Sequence, residues 1–120
     1  MNSQEITKAI GAHGKWKQRL SSAIEDGQSD ITPERVAPDN LCEFGRWLHS
    51  LPAAEQRGES FANVRALHAA FHKEAADVLK LALGGDKVAA GKCMALGGNF
   101  SDVSAKLTGA MMDWKKKLDM

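Results

Sequence analysis

Six side chains in the sequence can hold a borderline or soft metal ion: His13, His49, His68, His72, Cys42 and Cys93. His68 and His72 are four residues apart, a spacing that puts both imidazoles on one face of a helix, one turn apart, where they can share an ion. The plainer alternative is a partly buried pair hydrogen-bonded to polar neighbours. His13 stands between Ile10 and Leu20 on an apolar stripe, where a lone imidazole needs a partner. A satisfied core histidine would explain any one such residue. Two helices with inward histidines, however, bring three nitrogen donors together. Cys42 is the natural fourth donor. It reads as lying in the first turn of a short helix, where the dipole and free N–H groups favour thiolate, the form that binds zinc. Its alternative is a small buried hydrophobe. Three histidines and one thiolate would close a tetrahedral Zn2+ site and leave no position for a substrate. His49 lies two turns beyond Cys42, too far to share one ion from a straight helix, and reads as a solvent-facing residue complementing the helix C-terminus. Cys93 falls on an apolar seam and reads as core packing.

These donors need elements to position them. Gly27-Gln28-Ser29-Asp30, the loop framed by Pro33 and Pro38, Pro52 with Gly58, and Gly84-Gly85 divide the chain into four pieces. In the first, Ile6, Ile10, His13, Trp16 or Lys17, Leu20 and Ile24 recur at helical steps, with Ser3 as an N-cap. In the second, Leu41, Phe44, Leu48 and Leu51 do the same over a short span, with Asp39 or Asn40 as its cap. The third carries Phe61, Val64, His68, Phe71, Ala75, Val78 and Ala82, widened by Leu67, His72 and Leu79. The fourth runs through Ala89, Cys93, Leu96, Phe100, Val103, Leu107, Met111, Trp114 and Leu118, with a kink expected at Gly97-Gly98. No period-2 run marks a strand. The expected fold is all-α: an antiparallel four-helix bundle over residues 1–120, one domain, with one short helix carrying the cysteine.

Composition narrows the function. Sixteen Lys and Arg against 15 Asp and Glu leave a net charge of +1. That balance speaks against nucleic acid as a partner and against a polybasic membrane anchor. No apolar run is long enough to span a bilayer, and the N-terminus lacks the regions of a signal peptide. Two cysteines exclude a disulfide scaffold and make a reducing, cytoplasmic setting the default. The Met1 start and the length of 120 residues favour a free-standing protein over a fragment. Gly84-Gly85 and Gly97-Gly98 lack the strand and the Lys-Ser/Thr of a phosphate loop. With the expected site closed, the chain does not read as an enzyme.

Three motifs together resemble one family. His13-Gly14-Lys15-Trp16 is similar to a His-x-x-Trp, Cys42-Glu43-Phe44-Gly45-Arg46-Trp47-Leu48 to a Cys-x-Phe/Leu-Gly-x-Trp, and His68-Ala69-Ala70-Phe71-His72 to the His-x-x-x-His of the bacterial chemoreceptor zinc-binding domain. The resemblance runs from about Ile6 to Leu118. It implies that His13, Cys42, His68 and His72 bind Zn2+, with Trp16 and Trp47 walling the site and Gly45 admitting a neighbouring helix. It also implies a cytoplasmic sensory module, commonly a homodimer, linked to chemoreceptors or diguanylate cyclases, that responds to zinc or to hypochlorous acid at the cysteine. Two other readings stand beside it. One is a two-metal, hemerythrin-like carrier or oxidase bundle, which needs inward Glu or Asp ligands. Here the first stripe offers none, and Glu74 and Asp77 fall off the third. The other is a metal-free helical interaction module with core histidines.

Overall fold

The computed structural model describes residues 3–39 and 42–118. Among the described residues the only regular elements are helical, with helices α1 (Ser3–Asp26), α2 (Pro33–Val36), α3 (Glu43–Ser50), α4 (Glu59–Leu83), α5 (Lys87–Met94) and α6 (Asn99–Leu118) joined by turns. A 3-10 turn at Glu55–Arg57 precedes α4. None of these helices is long and apolar enough to cross a membrane.

The long helices α1, α4 and α6 pack pairwise against one another, and α2, α3 and α5 close the remaining sides. Helix α4 is central because its stripe is wide. Phe61, Val64, His68, Phe71, His72, Ala75, Ala76, Val78, Leu79 and Ala82 are all buried. That arc covers well over the roughly 100° that a helix with a single neighbour needs. Helix α1 presents the narrower line Ile6, Ala9, His13, Leu20 and Ala23. Helix α6 adds Phe100, Leu107, Met111 and Trp114. The buried residues form one connected core.

The expected all-helical class is what the chain shows. The expected set of four helices is not. The fourth periodic segment is two helices, α5 and α6, separated by a turn in which the Gly98 N–H donates to the Ala95 carbonyl. Gly97 takes φ +85°, which a side chain resists. At Gly98 a Cβ would overlap the Lys92 and Cys93 carbonyl oxygens. The glycine pair therefore breaks the helix outright instead of kinking it, and Leu96, counted in the stripe, is fully exposed in the turn. The buried residue at the start of α5 is Ala90, not Ala89.

Two further differences concern the short helices. The loop framed by Pro33 and Pro38 contains α2, whose Pro33 takes a helical first position that requires no N–H. Helix α3 begins at Glu43, so Cys42 stands one residue outside it, as its N-cap. Asp39 does not cap it, and the alternative cap Asn40, like Leu41 of the second stripe, lies outside the described residues. Ser3 is already helical, so any cap of α1 also lies outside them.

Candidate metal centre

Each donor is aimed by a local cause. His13 is buried on the inner line of α1, and its Nδ1–H donates to the Ala9 carbonyl oxygen one turn back, at 2.7 Å. A carbonyl only accepts, so this bond fixes the tautomer and leaves the Nε2 lone pair facing the core. His72 is held in the same sense from another element. Its Nδ1–H donates to the Val36 carbonyl at the end of α2, at 2.8 Å. His68 is completely buried, and its Nδ1 has no hydrogen-bond partner among the described residues.

Cys42 has the extended backbone of an N-cap, φ −78° and ψ 160°, and its sulfur accepts the Gly45 N–H at 3.3 Å. Sulfur thus occupies the place usually taken by a Ser or Asp oxygen at the start of a helix. The dipole argument made for the first turn holds at this position too, because the free N–H groups point at the cap.

The four donor atoms converge. His68 Nε2 lies 3.1 Å from His13 Nε2 and 3.1 Å from His72 Nε2. Cys42 Sγ is 3.3 Å from His68 Nε2 and 3.5 Å from His72 Nε2. All four atoms lie within 4.8 Å of one another. A tetrahedral zinc with ordinary bond lengths spaces its donors about 3.3–3.6 Å apart, so the residues fit the ion with little adjustment. The donor chemistry fits as well, since imidazole nitrogen and one thiolate suit a borderline-soft cation. With His13 and His72 fixed as acceptors at Nε2, only His68 and the thiol could put a hydrogen into this space. A cation satisfies all four lone pairs at once.

Electrostatics keeps the histidines ready. Burial lowers the pKa of His13 and of His72, in each case against the raising effect of its carbonyl bond. His68 is pushed down to about 2, first by burial and then by its neighbours His72 and His13. All three are therefore neutral at pH 7. Burial pushes the Cys42 thiol up, with the Gly45 and Phe44 N–H groups pulling the other way. A bound cation reverses that balance, because a coordinating thiol is deprotonated outright.

Aromatic edges surround the donors. Phe44 meets the His13 and His68 rings edge-on at 5.9 and 5.2 Å, and Phe71 meets His13 at 5.1 Å and His72 at 5.9 Å. Trp16 lines both cavities that reach Cys42. Trp47 stands one layer back, stacked on Phe44 at 5.6 Å. Gly45, read as a spacer for a neighbouring helix, is buried and serves as the sulfur's N–H donor. His49 is exposed near the end of α3, 3.9 Å from Asp39 and outside the cluster. Cys93 is partly buried against the core. The supports that sequence reasoning missed are the Ala9 and Val36 carbonyls. Any residue type supplies a carbonyl, so the sequence carries no signal for them.

A family model described as the chemoreceptor zinc-binding domain matches residues 13–79, more than half of the chain. The matched stretch holds all four clustered donors, and the chain belongs to this family. No curated protein and no solved structure matches the chain significantly.

Proposed function

We propose that the chain is a zinc-binding sensory module whose site is made by His13, Cys42, His68 and His72. The observation that carries this reading is the convergence of three imidazole nitrogens and one sulfur within 4.8 Å, two of the imidazoles fixed from behind by backbone carbonyls. Bound there, zinc supplies a tetrahedral crosslink and holds Cys42 as a thiolate. With four protein donors the site has no open position, which supports a regulatory role over an enzymatic one.

The signal is the state of the site, through zinc occupancy or through oxidation of Cys42. In the second case hypochlorous acid is reduced to chloride, its oxygen passes to sulfur, and the thiolate becomes a sulfenic acid. The site then has three donors in place of four. Family membership supports an output in bacterial chemotaxis or cyclic-di-GMP control, through a chemoreceptor or diguanylate cyclase module in the cytoplasm. It also supports a homodimer of one domain spanning residues 1–120. We take α1, α4 and α6, with the short helices in the remaining place, as a variant of the antiparallel four-helix bundle.

Metal analysis of the purified protein tests the reading. We expect about one zinc per chain in the wild type, and a loss of most of it in Cys42→Ala and His68→Ala. Unchanged zinc in both variants refutes the assignment. Analytical ultracentrifugation tests the dimer, and a monomer at high micromolar concentration rejects it. The two-metal alternative needs carboxylates in the cluster. Among the described residues the only group with metal-binding geometry is the three histidines and the cysteine.

A further inference from the structure

The histidine donors stand on helices that are held with unequal strength. His68 and His72 belong to α4, whose 25 residues include no glycine and ten buried side chains. His13 belongs to α1, and the middle of that helix is thinly held. Between Ala9 and Leu20 the one buried residue is His13 itself, with Ile10 and Trp16 partly buried. The two glycines of α1, Gly11 and Gly14, stand on either side of it, and both are exposed. A Cβ at either position would meet nothing within 4 Å, so no close neighbour requires glycine there. Each glycine leaves the helix weaker than alanine would, because it gives the opened backbone more freedom and exposes the helical backbone to water.

The backing of the two rings adds to the contrast. The His72 ring is held by the carbonyl of Val36 in α2, so its bond ties α4 to another element. The His13 ring is held by the carbonyl of Ala9 in its own helix, so its bond ties α1 to nothing else. His13 Nε2 meets His68 Nε2 at 3.1 Å across the boundary between α1 and α4. Beneath the same stretch a cavity of about 80 Å3 between α1 and α3 touches both His13 and Cys42.

We infer that α1 opens locally around Gly11 and Gly14, and that zinc enters and leaves the site through this opening, with His13 the first donor to let go. The inference rests on the reading of the four donors as a zinc site. Folded chains open in parts, with free energies that run from near zero to that of global unfolding, and the parts with few buried contacts open first. His68 and His72 stay with the core on α4 while His13 swings out on α1. Metal is then exchanged one donor at a time, with the packing of α4 against α6 left intact.

Two measurements on the full chain test this. The first is amide hydrogen exchange of the metal-free protein by NMR, corrected for intrinsic rates. The amides of residues 14–17 should exchange faster than those of residues 68–72. Gly11→Ala and Gly14→Ala together should slow them about 5- to 30-fold. The second is the rate at which zinc-loaded protein gives its metal to an excess of a coloured chelator. The same double variant should slow that transfer about 5- to 30-fold, and each single variant about 2- to 5-fold. Gly109→Ala, which adds a methyl in open space on α6, should leave both rates at their wild-type values. Equal protection of the two stretches, transfer at the wild-type rate in the double variant, or equal slowing by Gly109→Ala overturns the inference. A wild-type chain that takes up no zinc refutes the donor assignment instead, and exchange in the metal-free chain still decides whether α1 opens at this place.

Discussion

Three buried imidazoles, one of them within 3.1 Å of both others, cannot all carry charge, and the fold ensures that none does at neutral pH. His68 ordinarily titrates near 6.5 but is held to about 2 in the folded chain. Below pH 6.5 the unfolded state binds a proton that the folded state refuses. The stability of the metal-free protein is thus at its full value above that pH and falls as pH drops toward the folded value. Urea unfolding of the metal-free chain should be flat from pH 8 to 7 and decline below pH 6, by about 1.4 kcal/mol per pH unit for His68 alone. A curve rising toward acid would contradict the buried, neutral imidazoles. The thiol behaves oppositely. Burial raises the Cys42 pKa, so at pH 7 it still holds its proton when metal arrives. Loading should release about one proton per site, from sulfur, with almost none from the histidines. Calorimetry in two buffers of different ionisation heat measures that number directly.

At the scale of elements, the long stripes were legible because repetition is informative. Apolar residues at three- and four-residue steps over about five turns or more define α1 and α4, and the histidines on them inherit their direction from the stripe. Helix α2 was not legible, because four residues show no period. Its one contribution to the site is the Val36 carbonyl, which no side-chain pattern announces. The break between α5 and α6 reads from sequence as a kink because Leu96 fits the spacing from Cys93 to Phe100. Spacing does not register that Gly98 must pass against the carbonyls of Lys92 and Cys93. Two substitutions make this concrete. Gly98→Ala should lose roughly 1–3 kcal/mol in urea unfolding, since its Cβ meets backbone. Gly91→Ala, inside α5 with open space around the new methyl, should gain about 0.5–1 kcal/mol. Equal effects at the two sites would mean that the turn is not where the structure places it.

For the whole molecule, the donor cluster joins segments far apart in sequence. His13 and His68 meet across a separation of 55 residues, and Cys42 enters from a third segment. A metal bound only in the folded state stabilises it by mass action, about 2.7 kcal/mol when free metal is a hundred times the dissociation constant. Differential scanning calorimetry should therefore show the melting temperature rising with free zinc, and no further rise in Cys42→Ala. Phe71 carries the same linkage without metal. It touches the rings of His13, His72 and Phe100, and so ties α4 to α1, α6 and the donors. Phe71→Ala should lose about 3–5 kcal/mol and weaken zinc retention together. That His13, His68 and His72 come together was readable because residue type and inward stripe agreed on them, and Cys42 joined them on residue type and its place at a helix start.

The stretch of chain between Val36 and Cys42 has an unusual attachment. At one end Val36 is held by the far nitrogen of His72, and at the other Cys42 presents its sulfur to the same cluster. The imidazole is a rigid plate, so a displacement of His72 Nε2 is passed to Val36 undiminished. Both ends of this stretch thus meet the same cluster, beside the core burial of Val36 and the Gly45 N–H bond to the Cys42 sulfur. Removing the His72 side chain therefore takes away a contact at both ends at once.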